Sequence, residues 1–399
     1  MGNPSPNGGA AANDLPPIVE RMRADPLNRS VAAQKACAMT KRQRYLKALR
    51  NETVDELVWA PNFDYWLQVN TAEGTVPPQY VGLSRNDIVR AIGGYLWNRA
   101  SAFKTVLDPC VHTEWTEEGD VQIHWYHTPI GSIRAGWYPT EGIHRSRFVG
   151  EHYVKDIESL RVMRYVAEAT HYEPDYAPAE QALAETGDDG IVVTGGFCVP
   201  FIEFAKNNAG YGRAFYLWAD FREEVDRLIG VWFDRFLEGF RVLAEGPGDV
   251  VATGDNMDEW TLPPRLFREY AIPFYQEVAR ITRAHSKVFE GHWCGRTQHL
   301  LPLVPGCGLD CVEAIVTEPM ASVSLAEALD MLGGTVVLQG GIPSVLACEE
   351  GCSSEVFDRY IEETIIPLRR RRGFILGMSD NVPPNADFAR VERVARLIA

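Results

Sequence analysis

Apolar residues recur at spacings of three and four over 222–243, where Val225, Leu228, Ile229, Trp232, Phe236, Phe240 and Leu243 would share one helical face. From residue 190 onward such helical stretches alternate with short, β-branched apolar runs. The runs lie at 191–194, 249–254, 288–291, 309–312, 335–338 and 373–377. Helical patterns at 222–243, 264–284, 324–332, 354–368 and 387–398, with a short one near 297–303, separate or follow them. Two earlier runs, 57–60 and 106–110, bring the strands to about eight, which predicts an α/β chain closed as a (β/α)8 TIM-type barrel. An open doubly wound sheet is the competing architecture. No Gly-x-Gly-x-x-Gly follows any of these runs, so a dinucleotide-binding version of it gains no support.

The first half of the chain is less regular. Helices are expected over 32–51, 84–103 and 157–169, the second capped by Ser84 or Asn86. Between them, 121–127 and 132–138 alternate polar and apolar residues around Thr128-Pro-Ile-Gly131, which reads as an antiparallel hairpin inserted into the α/β chain. Its His124 and His127 read as exposed strand residues. Residues 1–30 are rich in Gly, Asn, Pro and Ala without the order of a secretory signal, so they read as a disordered leader to a single domain over 31–399 in a cytoplasmic protein.

Composition narrows the function classes. The net charge of −15 opposes attraction to nucleic acid or an anionic membrane. No apolar run reaches the roughly 20 residues that span a bilayer. Eight cysteines are too sparse for a disulfide framework. The basic run Arg369-Arg-Arg-Arg372 closes a predicted helix, where cations complement the helix dipole.

Candidate chemistry gathers where strands end, because the following loops of a barrel converge there. The run 288–291 leads into His292-Trp-Cys294, and alternation along an extended chain would place the imidazole and the thiolate on one side. A zinc site needs a third ligand. Asp380, after the last strand, is the first choice, with Glu313 and Glu290 second; Cys110 and Cys198 also stand near strand ends, whereas Cys307 and Cys311 suit packing. Other strand-end residues are Asn62, Asp64, Phe197, Asp255 and Asn256. Trp59, Phe63, Tyr65 and Trp66 make the entrance after the first strand aromatic.

The chain also contains Met39-Thr-Lys-Arg-Gln-Arg-Tyr-Leu-Lys-Ala-Leu49, Gly254-Asp-Asn-Met257, Pro263-Pro-Arg-Leu-Phe-Arg-Glu-Tyr270, Gly291-His-Trp-Cys-Gly295, Gln339-Gly-Gly-Ile342, and Gly373-Phe-Ile-Leu376 followed by Val382-Pro-Pro384. Together these motifs resemble the uroporphyrinogen decarboxylase superfamily, in its corrinoid-linked methyltransferase branch. The resemblance implies a barrel with its site at the strand ends. In the methyltransferase branch it also implies zinc on a His-x-Cys pair plus a cysteine after the last strand. His292 and Cys294 match the pair, and Asp380 stands where the cysteine is expected.

A decarboxylase of this kind holds a polyanionic porphyrinogen with arginines after its first strand. Here that place is Asn62-Phe-Asp-Tyr-Trp66, which would repel a polyanion. The expected activity is therefore methyl transfer from a small methylated substrate to the cobalt of a corrinoid protein, assisted by zinc. One thiolate, one imidazole and one carboxylate suit an oxygen or nitrogen leaving group. The aromatic entrance (Trp59, Phe63) points first to an aryl methyl ether and second to a quaternary amine. Asn256 is expected to orient the leaving atom, Asp255 to hold a substrate hydroxyl or order His292, and Glu203 to donate a proton. Asn62, Asp64, Phe197 and Glu313 are expected around the substrate. A homodimer is an expected assembly. Decarboxylation, or ligand binding without catalysis on the same fold, are the alternatives.

Overall fold

Alternate residues of the apolar runs form one buried cluster, among them Val58, Trp97, Val193, Val250, Val288, Cys311, Val337 and Ile375. The intervening residues pack in a second, larger cluster against the helices, so each strand is apolar on both faces, as parallel strands covered by helices are. The computed structural model describes residues 39–140 and 146–399. The leader expected over 1–30 and the first part of the helix expected over 32–51 lie outside the described residues. Residues 41–399 form a single unit.

In chain order the strands are β1 (Leu96–Ala100), β2 (Phe103–Leu107), β3 (His112–Glu118), β4 (Val121–Thr128), β5 (Gly131–Pro139), β6 (Arg147–Glu151), β7 (Thr170–Pro174), β8 (Gly190–Phe197), β9 (Val250–Thr253), β10 (Val288–His292), β11 (Cys311–Ile315), β12 (Val337–Ile342) and β13 (Phe374–Met378). Seven of them pair in parallel in the order β1-β8-β9-β10-β11-β12-β13. Residues 57–60 join the two edges. The Ala60 N–H donates to the Leu376 carbonyl (2.8 Å) on β13, and the Tyr95 N–H, just ahead of β1, donates to the Trp59 carbonyl (2.7 Å). The result is an α/β fold with a curled parallel sheet, consistent with a TIM-type barrel.

Three early expectations are corrected. The helix expected over 84–103 is only Arg85–Ala91, and the chain then becomes β1. Gly93 takes φ +76°, a left-handed value that ends the helix, and a Cβ on Gly94 would stand 2.9 Å from Pro61. The run at 106–110 does not enter the main sheet either. It falls in and after β2, which pairs antiparallel with β7. The expected hairpin is β4 and β5, extended by β3 and β6 into a four-stranded antiparallel sheet. His124 is buried in it rather than exposed, with Nδ1 2.6 Å from the Tyr153 hydroxyl.

Helix Lys41–Leu49 stands against the sheet and sends Tyr45 into the interior cluster. The Tyr45 hydroxyl donates to Gln339 Oε1 (2.8 Å), and both side chains are buried. A Tyr45→Phe variant should lose about 1–2 kcal/mol of stability, because the Gln339 carbonyl would stay buried without that donor. An unchanged denaturation midpoint would refute this anchoring role.

Candidate active site

Alternation along β10 turns Val288 inward with the interior cluster and Phe289 outward among the helices. The same period brings Glu290 and His292 to the carboxyl ends of the strands. There a cleft of about 450 Å³ is lined by Arg99, Gly195, Thr253, Asn256, Glu290 and His292. Register carries Glu313 to the place beside His292 on β11, and their side chains meet with Nδ1 and Oε2 2.6 Å apart. The other ring nitrogen, Nε2, faces Asp380 Oδ1 at 3.8 Å. Burial works against the imidazolium, but the Glu313 carboxylate outweighs it and Cys294 adds to the effect, so His292 is held up at about 11.

Glu290 and Glu313 are both buried in this wall. Burial first, and the neighbouring Glu313 charge second, push the Glu290 carboxyl up to about 8. Its Oε2 is buried without a hydrogen-bond partner in the protein. Arg99 stands opposite, 3.5 Å from Glu313 Oε2 and 4.5 Å above the Trp97 ring, with half of its side chain exposed.

Of the residues expected here, the fold brings His292, Glu313, Asp380, Cys294 and Asn256 together. Asn256 lines the cleft with a left-handed φ of +50°. Cys294 is half-buried and, after Glu313, favours the His292 imidazolium. Asn62 works indirectly: its Nδ2 donates to the Asp380 carbonyl (2.9 Å) and its carbonyl accepts from the Val382 N–H (2.8 Å), which fixes the loop that carries Asp380.

The others are elsewhere. Trp59 and Phe63 are core residues, and Trp66 stacks on Phe388 of the last helix with centroids 4.0 Å apart. The expected aromatic entrance thus seals the fold, because Phe63 caps a helix (Asp64–Glu73) whose apolar side meets the chain's last helix. Asp64 is paired with Arg85 (2.8 Å). Phe197 turns outward and stacks on Phe103 (4.8 Å). Asp255 is fully buried: Oδ1 accepts from the Val199 N–H (2.7 Å), and Oδ2 accepts from Thr253 (2.5 Å) and Tyr275 (2.6 Å). It cannot reach a substrate, yet Tyr275 in turn accepts from Trp293 Nε1 (3.2 Å), so Asp255 supports the loop between His292 and Cys294. Glu203 lines a different cavity, under the antiparallel sheet.

Arg99 lies outside the expected site because its segment reads as helix. Glu290 is only a second choice from sequence because it precedes the strand end, although the two-residue period that singles out His292 also singles out Glu290.

A uroporphyrinogen decarboxylase (URO-D) family profile matches residues 154–399, more than half of the chain. The chain belongs to the uroporphyrinogen decarboxylase family. The matched region of this URO-D protein holds β8 to β13, and with them Glu290, His292, Cys294, Glu313 and Asp380; Arg99 and residues 57–60 precede it. No curated protein matches the sequence. Among solved structures, a methyltransferase from Methanosarcina mazei shares the fold at 15% identity and a TM-score of 0.59, over 90% of this chain and 98% of that one. Among the described residues no helix is long and apolar enough to cross a membrane.

Replacing Asp255 by Asn puts an amide N–H₂ among three donors. The variant should lose about 1–3 kcal/mol in chemical denaturation. A wild-type midpoint would show that the network does not hold the loop.

Proposed function

We propose that this family member, built as a closed (β/α)8 barrel, moves a methyl group from a small methylated substrate to the cobalt of a corrinoid carried by a partner protein. The observation that carries the reading is the histidine at the strand ends, oriented by a buried glutamate and facing a second carboxylate across an open cleft. The methyltransferase with the same fold supports it. Decarboxylation of a porphyrinogen is less supported, since the cleft offers Arg99 against Glu290, Glu313 and Asp380.

The donor chemistry fits zinc. His292 through Nε2, the Cys294 thiolate and the Asp380 carboxylate would hold it, and Glu313 on Nδ1 is the outer partner that fixes a ligating imidazole. Of the three donors, Asp380 faces His292 Nε2 at 3.8 Å and Cys294 follows His292 by two residues; among the described residues no three His, Cys, Asp or Glu side chains already stand together as a metal site, so Cys294 or Asp380 has to close in. The carboxylates that favour the imidazolium would equally favour a divalent cation. When bound, zinc supplies a Lewis acid for the atom that carries the methyl group.

The chain's own residues do the rest. Asn256 orients the leaving atom from the cleft wall. As the methyl carbon passes to cobalt, the bonding pair stays on the leaving atom, which needs a proton. Glu290 is the proton donor in this reading, because its carboxyl lines the cleft, its Oε2 has no hydrogen-bond partner in the protein, and burial favours its neutral form. With the aromatic entrance absorbed into the core, the cleft gives no preference for an aryl ring; an alkyl or aryl oxygen or nitrogen donor is the substrate class.

Purified protein should carry zinc and consume cob(I)alamin when given a methylated alcohol, ether or amine. Glu313→Gln should lower metal affinity or rate roughly 10-fold to 100-fold, and Cys294→Ser should lose both. Zinc-free protein with undiminished methylation in Cys294→Ser would eliminate the metal, and loss of carboxyl groups from a porphyrinogen with no methylcobalamin formed would eliminate methyl transfer.

A further inference from the structure

The second cavity, about 360 Å³, lies between the antiparallel sheet and the helices Ile157–Glu168 and Arg222–Glu245, and shares no lining residue with the cleft. Its walls are aromatic: Tyr126, Trp137, Tyr153, Tyr172, Trp232 and Phe236. Tyr126 and Tyr153 have centroids 5.2 Å apart, and Trp137 and Tyr153 6.2 Å. Into it the π-helical turn Glu203–Asn208 presents one carboxylate.

That carboxylate has neutral partners. Glu203 Oε1 accepts from Asn208 (2.8 Å), and Oε2 accepts from Asn207 (2.6 Å) and the Cys198 thiol (3.3 Å). Among the described residues it makes no ion pair. The nearby cations are committed elsewhere: Arg235 to Glu238 (3.0 Å), and Lys206 to the Gly254 carbonyl (2.9 Å). Burial lowers the His124 imidazole and so favours its neutral form. Burial raises the phenols of Tyr126, Tyr153 and Tyr172, and the Glu203 charge adds to each shift, so its field reaches all three rings.

We infer that this cavity is a binding site for a small organic cation of the methylated ammonium class. An anion would meet Glu203 and the negative ring faces, and a neutral apolar molecule would leave the carboxylate uncompensated. A trimethylammonium group satisfies both features, because its methyl groups fill the aromatic walls while its diffuse charge is drawn to the ring faces and to Glu203 without requiring a hydrogen bond. The inference does not rest on methyl transfer in the cleft and stands whatever reaction occurs there.

Calorimetric titration of the full chain with choline, and with its neutral isostere 3,3-dimethylbutan-1-ol, tests it. Choline should bind at least roughly tenfold more tightly than the isostere, and Glu203→Gln should remove most of that difference. Trp137→Leu, at a half-buried position, should weaken choline binding in a folded protein even if Glu203→Gln does not fold. Cys294→Ser should bind choline as the wild type does. Equal binding of choline and isostere, wild-type choline affinity in both cavity variants, no saturable binding at millimolar choline, or loss of binding in Cys294→Ser would each overturn the assignment.

Discussion

Two glutamates are buried side by side at the open end of the sheet, and the surrounding structure is arranged to make that tolerable. Glu290 and Glu313 come from neighbouring strands, two residues from direct opposition and therefore on the same face of the sheet. Two carboxylates in such a place cannot both ionise cheaply. His292 answers one of them at 2.6 Å, Arg99 approaches the same group at 3.5 Å, and Glu290 keeps its proton. A cation between carboxylates and a protonated acid beside them follow from one electrostatic constraint, and both are what a group-transfer site uses.

The two ends of the barrel-like sheet are built differently for the same reason. At the closed side the helix Lys41–Leu49 fills the interior with Tyr45 and Leu49, and Arg42 pairs with Asp249 ahead of β9. At the carboxyl ends, loops take the place of a helix. They are held by backbone-directed bonds, from Asn62 to the Asp380 loop and from Asp255 to the loop after β8, and by single buried apolar side chains such as Val199, Trp293 and Val382. The polar side chains of the cleft can therefore be oriented firmly while the cleft stays open to solvent.

Polar groups outside the cleft show how much position matters. Asp255 and Glu203 both follow strands, and both are carboxylates with three hydrogen-bond partners. Asp255 is sealed and serves the fold. Glu203 is half-exposed inside an aromatic cavity, so its charge remains available to a ligand.

Much of the fold was legible in the chain because strand and helix periods are local. The alternation after residue 190 specified parallel strands under helices, and the two-residue period put His292 at a strand end. Period alone could not tell helix from strand over 84–103, where a pair of glycines and the contact of Gly94 with Pro61 decide. The role of the aromatic stretch at 59–66 was equally out of reach, since its Phe63 and Trp66 rings pack on Phe388, more than three hundred residues away in sequence. Which carboxylate touches His292 is likewise a matter of register between β10 and β11. The sequence by itself determined the kinds of groups at the strand ends; only the tertiary structure decided which of them meet, because distance between side chains depends on strand pairing that no local pattern encodes.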